Sequence, residues 1–268
     1  MRFLVVMMLM ALVIGACGSE TGDATLPTVP EGTPGGVILE ISDEGGFVPV
    51  EFNLTRVPRF TVFADGTVVM PGDQQFAFPG PALRPLVESK LDDDTLTDLL
   101  TFVDDLGLDE IDSVSLNNAP NVADASTTVV RYFDGGGGEH RISIYALGFD
   151  PAGDGRSAIV ASMIDMLETA KAEGTVGPYA ADRLVAFAAG TDGLDPLQLR
   201  NAGAWPLGVT PNEMSSQVAG FSCTTIDGEA VASLTDALTD ADAMTTWTYE
   251  GNELRILARP LLPHQDGC

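Results

Sequence analysis

The chain has 268 residues and a formal net charge of −26, with 39 acidic and 13 basic residues. Apolar residues make up 45% of the sequence, which is enough for a hydrophobic core and excludes a disordered linker. The excess of negative charge argues against binding to nucleic acid and against electrostatic attachment to anionic lipid.

The N-terminus has the pattern of a bacterial lipoprotein signal. Arg2 is followed by an uncharged apolar run from Phe3 to Ala16, which ends on Ile14-Gly15-Ala16 directly before Cys17. The run is shorter than the roughly 20 residues of a membrane-spanning helix and has the parts of a secretory signal. We therefore expect residues 1–16 to be cleaved and Cys17 to be acylated, which anchors the protein on the outward face of the cell membrane. A permanent N-terminal membrane helix and a plain secreted protein are the alternatives.

The composition of residues 17–36 predicts a flexible tether. The segment from Gly18 to Gly36 is rich in Gly, Pro, Thr and acidic residues and has no hydrophobic period. Such a composition cannot bury enough apolar surface to offset the entropy lost on ordering. With an end-to-end distance of roughly 25 Å, this tether would hold the folded part just off the membrane.

Residues 37–190 predict an α+β domain that begins with an apolar strand at Val37. Apolar residues on both sides of Asp65-Gly66 are typical of a β-hairpin, and a second hairpin is predicted over residues 126–147. The acidic first turn at Asp92 and the spacing of the apolar residues predict helices over residues 92–106 and 156–173. The segment from Ala180 to Ala189 is a candidate for a further helix.

Residues 191–268 predict a C-terminal unit of strand, helix and hairpin that packs on the first domain. The strand covers residues 219–226, the helix residues 229–238 and the hairpin residues 245–258. Three hairpins that each neighbour a helix favour an α+β fold, with helices packed on one face of antiparallel sheets. Duplication of a hairpin–helix unit and three unrelated hairpins are both open alternatives.

Cys223 and Cys268 are predicted to form a disulfide. If Cys17 carries lipid, an even pair of cysteines remains in an oxidising compartment, where such a pair usually forms a disulfide. The bond would lower the entropy of the unfolded chain and so stabilise the fold by roughly 4 kcal/mol. It would also attach the last residue to the fold. Metal binding by two distant cysteines without neighbouring histidines is the weaker alternative.

Motifs for catalysis, metal binding or cofactor binding are lacking in the sequence. It contains no Gly-x-Ser-x-Gly, no His-Glu-x-x-His and no Cys-x-x-Cys, so we predict no catalytic residue, no metal and no cofactor. Asp150 and Asp154 lie in a glycine-containing loop, but their spacing does not match a calcium-binding EF-hand and a plain turn is the simpler interpretation. The many acids are typical of a solvated surface, with capture of cations or basic partners as the alternative.

Trp205, Trp247 and Arg259 are weak candidates for a ligand groove. Tryptophan side chains line grooves in some proteins, but they more often fill a core or cover a sheet edge. Arg259 stands out in such an acidic chain, although an ion pair with a neighbouring acid is the simpler expectation.

Five segments carry a family resemblance, namely IGAC at the signal, GGFVPVEFNLTRVPRFTVFADGTVVMPG, PGPAL, FSC and the closing RPLLPHQDGC. In these segments the chain resembles the uncharacterised lipobox-containing lipoproteins of actinobacteria and related high-GC bacteria, over about residues 37–268. The resemblance implies a lipid-anchored cell-surface protein with a Cys223–Cys268 bridge. It is uninformative about function, because the family has no activity that can be carried over to residues of this chain.

We therefore expect a non-catalytic lipoprotein of the cell envelope with a binding or scaffold role. Its partners would be the membrane, through the lipid anchor, and another envelope protein, bound through the edge of a hairpin strand. A carboxylate-based hydrolase is the rival hypothesis, and it requires two close acids in a pocket, one with a raised pKa. A solute-binding receptor is the third hypothesis, although such receptors usually have two α/β lobes.

Overall fold

The computed structural model describes residues 34–73, 78–108, 110–117, 121–149, 155–214 and 216–268. The predicted signal peptide, Cys17, most of the predicted tether, Asp150 and Asp154 lie outside the described residues. Within them the chain forms two β-sheets and four α-helices, which confirms the predicted α+β fold. No helix among the described residues has the length and apolar character needed to cross a membrane.

The first sheet has eight strands in the order β5-β7-β6-β1-β2-β3-β4-β8. Neighbouring strands are antiparallel except for β5 and β7, which are parallel. The hairpin predicted at Asp65-Gly66 joins β2 to β3, and Gly66 has a φ of 82°, which favours glycine. The strands are β1 (Val37–Gly45), β2 (Phe60–Phe63), β3 (Thr67–Pro71), β4 (Leu86–Lys90), β5 (Ser113–Asn117), β6 (Ser126–Phe133), β7 (Glu139–Tyr145) and β8 (Gly177–Pro178).

Two helices, α2 (Asp93–Asp105) and α3 (Gly155–Glu173), cover one face of the first sheet. The helix α2 begins where predicted because the side chain of Asp92 accepts a hydrogen bond from the backbone N–H of Thr95, at 2.7 Å. Leu99 and Val103 of α2 and Val160, Met163 and Leu167 of α3 are buried against the sheet. A short helix, α1 (Val50–Leu54), connects β1 to β2 and has no buried residue.

The second sheet has six strands in the order β10-β13-β14-β9-β12-β11. One helix, α4 (Glu229–Leu238), packs on it through Leu234 and Leu238. The C-terminal strand, helix and hairpin form as predicted. The strands are β9 (Arg183–Ala189), β10 (Arg200–Ala204), β11 (Ser216–Val218), β12 (Phe221–Asp227), β13 (Thr245–Tyr249) and β14 (Asn252–Leu261).

Residues 180–189 do not form the helix considered from the sequence. They contribute β9, which lies between β14 and β12 in the second sheet. Because both faces of this strand are buried, its sequence is a continuous apolar run without the alternation that marks a half-exposed strand. The boundary predicted at residue 190 consequently falls after the first strand of the second sheet, not before it.

The alternating side chains of β9 show how the layers stack. Leu184, Ala186 and Ala188 pack in the cluster that contains α4. Val185 and Phe187 belong to a different cluster, which also contacts Leu54 of α1. Helices α2, α3 and α4 therefore lie on the outside, and the other faces of the two sheets meet in the middle, with the short α1 packed on the inner side of the second sheet.

The chain between β3 and β4 crosses from the first sheet to the second, and we call its residues 78–85 the crossover segment. The N–H of Ala82 donates to the carbonyl of Ala241 at 3.0 Å, and Ala82 O accepts from the N–H of Ala258 at 2.7 Å. Ala82 is fully buried in the core of the second sheet. The crossover segment thus ties the two sheets together.

The three predicted hairpins lie in two sheets of different strand order. The β2–β3 and β6–β7 hairpins belong to the first sheet, whereas β13–β14 belongs to the second. Duplication of a hairpin–helix unit stays a hypothesis.

Candidate functional site

The C-terminal tail is attached to the second sheet by the predicted cysteine pair. Cys223 lies on β12, and its Cα is 5.9 Å from the Cα of Cys268, a separation compatible with a disulfide. Next to it, the backbone N–H of Cys268 donates to Oγ1 of Thr225 at 3.3 Å. The end of the tail is consequently fixed to β12 of the second sheet.

Glu40 of β1 is the centre of a buried polar cluster at this junction, with 5% of its surface exposed. Its Oε1 accepts a hydrogen bond from Nη1 of Arg131 at 2.8 Å. Its Oε2 accepts from Nε2 of His264 at 2.9 Å and from Nε2 of Gln265 at 3.2 Å. One carboxylate of the first sheet therefore binds two residues of the tail.

The pKa of Glu40 lies below its ordinary value. Burial would raise this pKa, but the hydrogen bond and charge of His264, the charge of Arg131 and the hydrogen bond of Gln265 outweigh burial. Glu40 is thus held as a carboxylate, which suits a structural ion pair and does not suit a general acid.

Arg259 lies beside this cluster but forms no ion pair among the described residues. Its Nη1 donates to Oε1 of Gln265 at 3.1 Å. Burial lowers the pKa of Arg259, and the nearby charge of Glu40 opposes that effect. Arg259 lines a cavity of about 370 Å³, which we call the tail cavity, together with Glu40, Asp43, Glu44 and Arg56.

A cavity of about 990 Å³, which we call the inter-sheet cavity, lies where the helix-covered side of β2 and β3 approaches the second sheet. Phe60 of β2 and Met70 of β3 contribute to its wall from the first sheet, and Leu257 of β14 contributes from the second. The helix α1, the C-terminal half of α3 and the crossover segment complete it. Its lining is mainly apolar, which is typical of small-molecule sites in proteins.

Four of the basic residues of this acidic chain line the inter-sheet cavity: Arg59, Arg84, Lys171 and Arg255. Two of the four are neutralised by acids. Nη2 of Arg59 lies 3.0 Å from Oε1 of Glu168, and Nη2 of Arg255 lies 3.4 Å from Oε1 of Glu51.

Arg255 is held further by backbone oxygens. It donates to the carbonyls of Gly190 at 3.3 Å and Ala243 at 3.2 Å, and only 8% of its side chain is exposed. These contacts join α1 to the second sheet, so the role of Arg255 is structural.

Arg84 and Lys171 have no acidic side chain within ion-pair distance in the described part of the chain. The Cζ atom of Arg84 lies over the Phe52 ring, 4.2 Å from its centroid, and Arg56 lies 5.1 Å from the same centroid. Burial, and then repulsion by Arg56, lower the pKa of Arg84. The inter-sheet cavity therefore presents a half-buried positive charge that no described acid compensates.

A second cavity, of about 1050 Å³, adjoins the inter-sheet cavity at the crossover segment. Both cavities are lined by Asp73, Pro81 and Arg84. The other walls of the second cavity come from α4 and from the chain around Tyr179, so this cavity lies against the second sheet. Arg84 is thus accessible from two sides.

The two tryptophans line none of the cavities described above. Trp247 is 2% exposed and packs in the core of the second sheet. Trp205 is half-buried against the same core, donates through Nε1 to the carbonyl of Val209 at 2.8 Å, and lies 6.2 Å from the Tyr249 ring. Their positions fit packing rather than a ligand groove.

The residues that line the inter-sheet cavity were not predicted from the sequence as a site, because they come from distant parts of the chain. Residues 52, 84, 171 and 257 share no motif and no spacing. The one local signal was the scarcity of basic residues, which makes each arginine of this chain a candidate for a specific role.

Comparison with protein-family models, with curated proteins and with solved structures found no match. Among the described residues, no group of three or more His, Cys, Asp or Glu side chains is arranged to hold a metal ion.

Proposed function

We propose that this protein is a lipid-anchored, non-catalytic binding protein of the cell envelope, and that the inter-sheet cavity is its ligand site. The observation that carries this proposal is the cavity itself, about 990 Å³ with a mainly apolar lining and a few convergent charges. The anchor rests on the signal-like run before Cys17. The tether would place the cavity near the membrane surface.

The pKa values of the described carboxyl groups do not favour the hydrolase hypothesis over binding. That hypothesis requires a carboxyl group with a raised pKa beside a second acid. The described carboxyl groups whose pKa is shifted all have it lowered: Glu40, Asp65, Asp92, Asp134 and Glu213. The binding hypothesis needs no such group.

The first test is the intact mass of the protein, extracted from membranes in mild detergent without reductant. We expect a mass with acyl groups on Cys17 and with two hydrogens fewer for the Cys223–Cys268 bond. An unacylated product in the soluble fraction would overturn the anchor.

The second test asks whether a ligand occupies the inter-sheet cavity. A side chain at Gly80, which lines the cavity, would meet no atom within 4 Å of its Cβ, so Gly80→Trp can fill the space. Gly208→Trp is the matched control, because Gly208 has equal room and lines neither large cavity. Native mass spectrometry should show a co-purified envelope component on the wild type and Gly208→Trp, and its loss on Gly80→Trp. Equal occupancy of all three proteins, or an empty wild type, would overturn the proposal.

A further inference from the structure

The wall of the inter-sheet cavity suits an apolar ligand body. Phe60, Met70 and Leu257 border it but are only 1%, 2% and 3% exposed, so most of the apolar surface that a ligand could contact comes from other residues. Two further lining residues, Phe52 and Phe78, are 39% and 74% exposed, which places them at the opening. Exposed apolar surface next to an apolar cavity is unfavourable in water, at about 25 cal/mol per Å². A ligand with an apolar body would cover it.

The charges of the same cavity suit an anionic group. Glu51 and Glu168 are neutralised by Arg255 and Arg59, which leaves Arg84 and Lys171 against the exposed Asp73. The net charge of the cavity lining is therefore positive, although the whole protein has a formal net charge of −26. This local reversal of sign is the charge complementarity that an anion requires.

Arg84 is the residue that best fits contact with the anion. Its Cζ atom lies 4.2 Å from the centroid of the Phe52 ring, a cation–π contact, and its N–H groups make no hydrogen bond to any described residue. A guanidinium with free N–H groups can bind a carboxylate or a phosphate through two parallel hydrogen bonds. Lys171 adds a second positive charge at the end of α3.

We infer that the inter-sheet cavity binds an amphiphile with a long apolar body and a carboxylate or phosphate head group, which pairs with Arg84. The inference rests on the proposed function, since it specifies the ligand of the same site. The apolar body lies along Phe52, Phe78 and Leu194, and the head group lies at Arg84. A volume of about 990 Å³ is at the upper end of the range of about 300–1,000 Å³ for small-molecule sites, which suits such a ligand.

The test uses four amphiphiles that share a dodecyl chain or its equivalent and differ in the head group. Laurate carries a carboxylate, dodecyl phosphate a phosphate, dodecyltrimethylammonium a positive charge, and dodecyl maltoside no charge. Each is titrated below its micelle concentration, by calorimetry, into the chain from residue 17 onward with Cys17→Ser, which needs no detergent. We expect at least one anionic amphiphile to bind about 10-fold or more tightly than the cationic and neutral ones.

Substitution separates the head group from the apolar body. Arg84→Met should weaken binding of the anionic amphiphile about 10- to 100-fold and leave dodecyl maltoside unchanged. Arg141→Met is the matched control, because Arg141 is partly exposed, pairs with Glu44 and lines neither the inter-sheet cavity nor the second cavity. Circular dichroism and thermal melts of both variants show that each is folded.

The outcomes distinguish the two proposals. Tighter binding of laurate identifies a carboxylate head group, and tighter binding of dodecyl phosphate identifies a phosphate. Equal affinities for all four head groups, or no effect of Arg84→Met on binding, would overturn the inference about the anionic amphiphile. In that case, loss of the co-purified component in Gly80→Trp would still support the proposed function as a binding protein. If no amphiphile binds and the wild type co-purifies with nothing, both proposals fail.

Discussion

Nε2 of His264 lies 2.9 Å from Oε2 of Glu40, although the two residues are 224 positions apart in the sequence. The first belongs to the C-terminal tail and the second to the first strand of the fold. Only 7% of the His264 side chain and 6% of the Glu40 side chain are exposed. This contact, together with the Cys223–Cys268 pair, holds the two sheets in the arrangement that forms the cavities.

Glu40→Gln should destabilise the protein by about 2–4 kcal/mol. The substitution removes the negative charge that Arg131 and His264 share, and leaves the half-buried Arg131 with only its more exposed partners, Glu44 and Glu139. The free energy of unfolding is measured by urea denaturation without reductant.

Glu139→Gln is the matched control for that experiment. Glu139 pairs with the same Arg131, at 3.3 Å, but its side chain is 49% exposed. Exposed ion pairs contribute little to stability, so we expect Glu139→Gln to lower the free energy of unfolding by less than about 1 kcal/mol. Equal losses for the two variants would contradict a central role of Glu40.

The contribution of Glu40 should depend on pH. Its pKa in the folded protein lies below the ordinary value of 4.5, so the ionised form stabilises the fold above about pH 4.5. That stability is lost as the pH falls through the folded pKa. The difference in unfolding free energy between wild type and Glu40→Gln should be largest at neutral pH and should shrink below pH 4.5.

Urea denaturation of both proteins from pH 7 to about pH 3 checks this. Asp65, Asp92, Asp134 and Glu213 also have lowered pKa values, but they are present in both proteins and largely cancel in the difference. A difference that stays constant over the range would show that ionised Glu40 is not the stabilising form.

Replacing both Cys223 and Cys268 by serine should cost about 4 kcal/mol of stability. The two residues are 45 positions apart, and a cross-link of this span removes that much chain entropy from the unfolded state. Dithiothreitol should lower the thermal midpoint of the wild type and leave that of the double variant unchanged. A wild type that is insensitive to reductant under unfolding conditions would show that the cysteines are not bonded.

The two tryptophans should differ in their effect on stability. Trp247→Ala should cost about 3–5 kcal/mol, because it removes a large side chain from the core of the second sheet. Trp205→Phe should cost about 1 kcal/mol, through loss of its hydrogen bond to Val209. Urea denaturation followed by circular dichroism measures both. Loss of amphiphile binding without loss of stability would instead place a tryptophan in the ligand site.

The elements that were predicted correctly are those with local signals. The cap at Asp92 and the apolar spacing after it were sufficient for α2, and Asp65-Gly66 was sufficient for the β2–β3 hairpin. Each signal lies within a few residues, because caps and turns satisfy backbone groups locally. The strand β9 was misread as a helix because a short apolar run buried on both faces has no period of its own.

The sequence alone correctly predicted the α+β class, helices α2, α3 and α4, the hairpins and a Cys223–Cys268 pair at disulfide distance, because composition, capping, turn chemistry and cysteine count are local or additive properties. It also predicts the lipid anchor at Cys17, for the same reason. Only the tertiary structure brought Glu40 to His264 and placed Phe52, Arg84, Lys171 and Leu257 around one cavity. These contacts depend on how two sheets and a crossover segment pack together, and packing between distant segments leaves no periodic trace in the sequence.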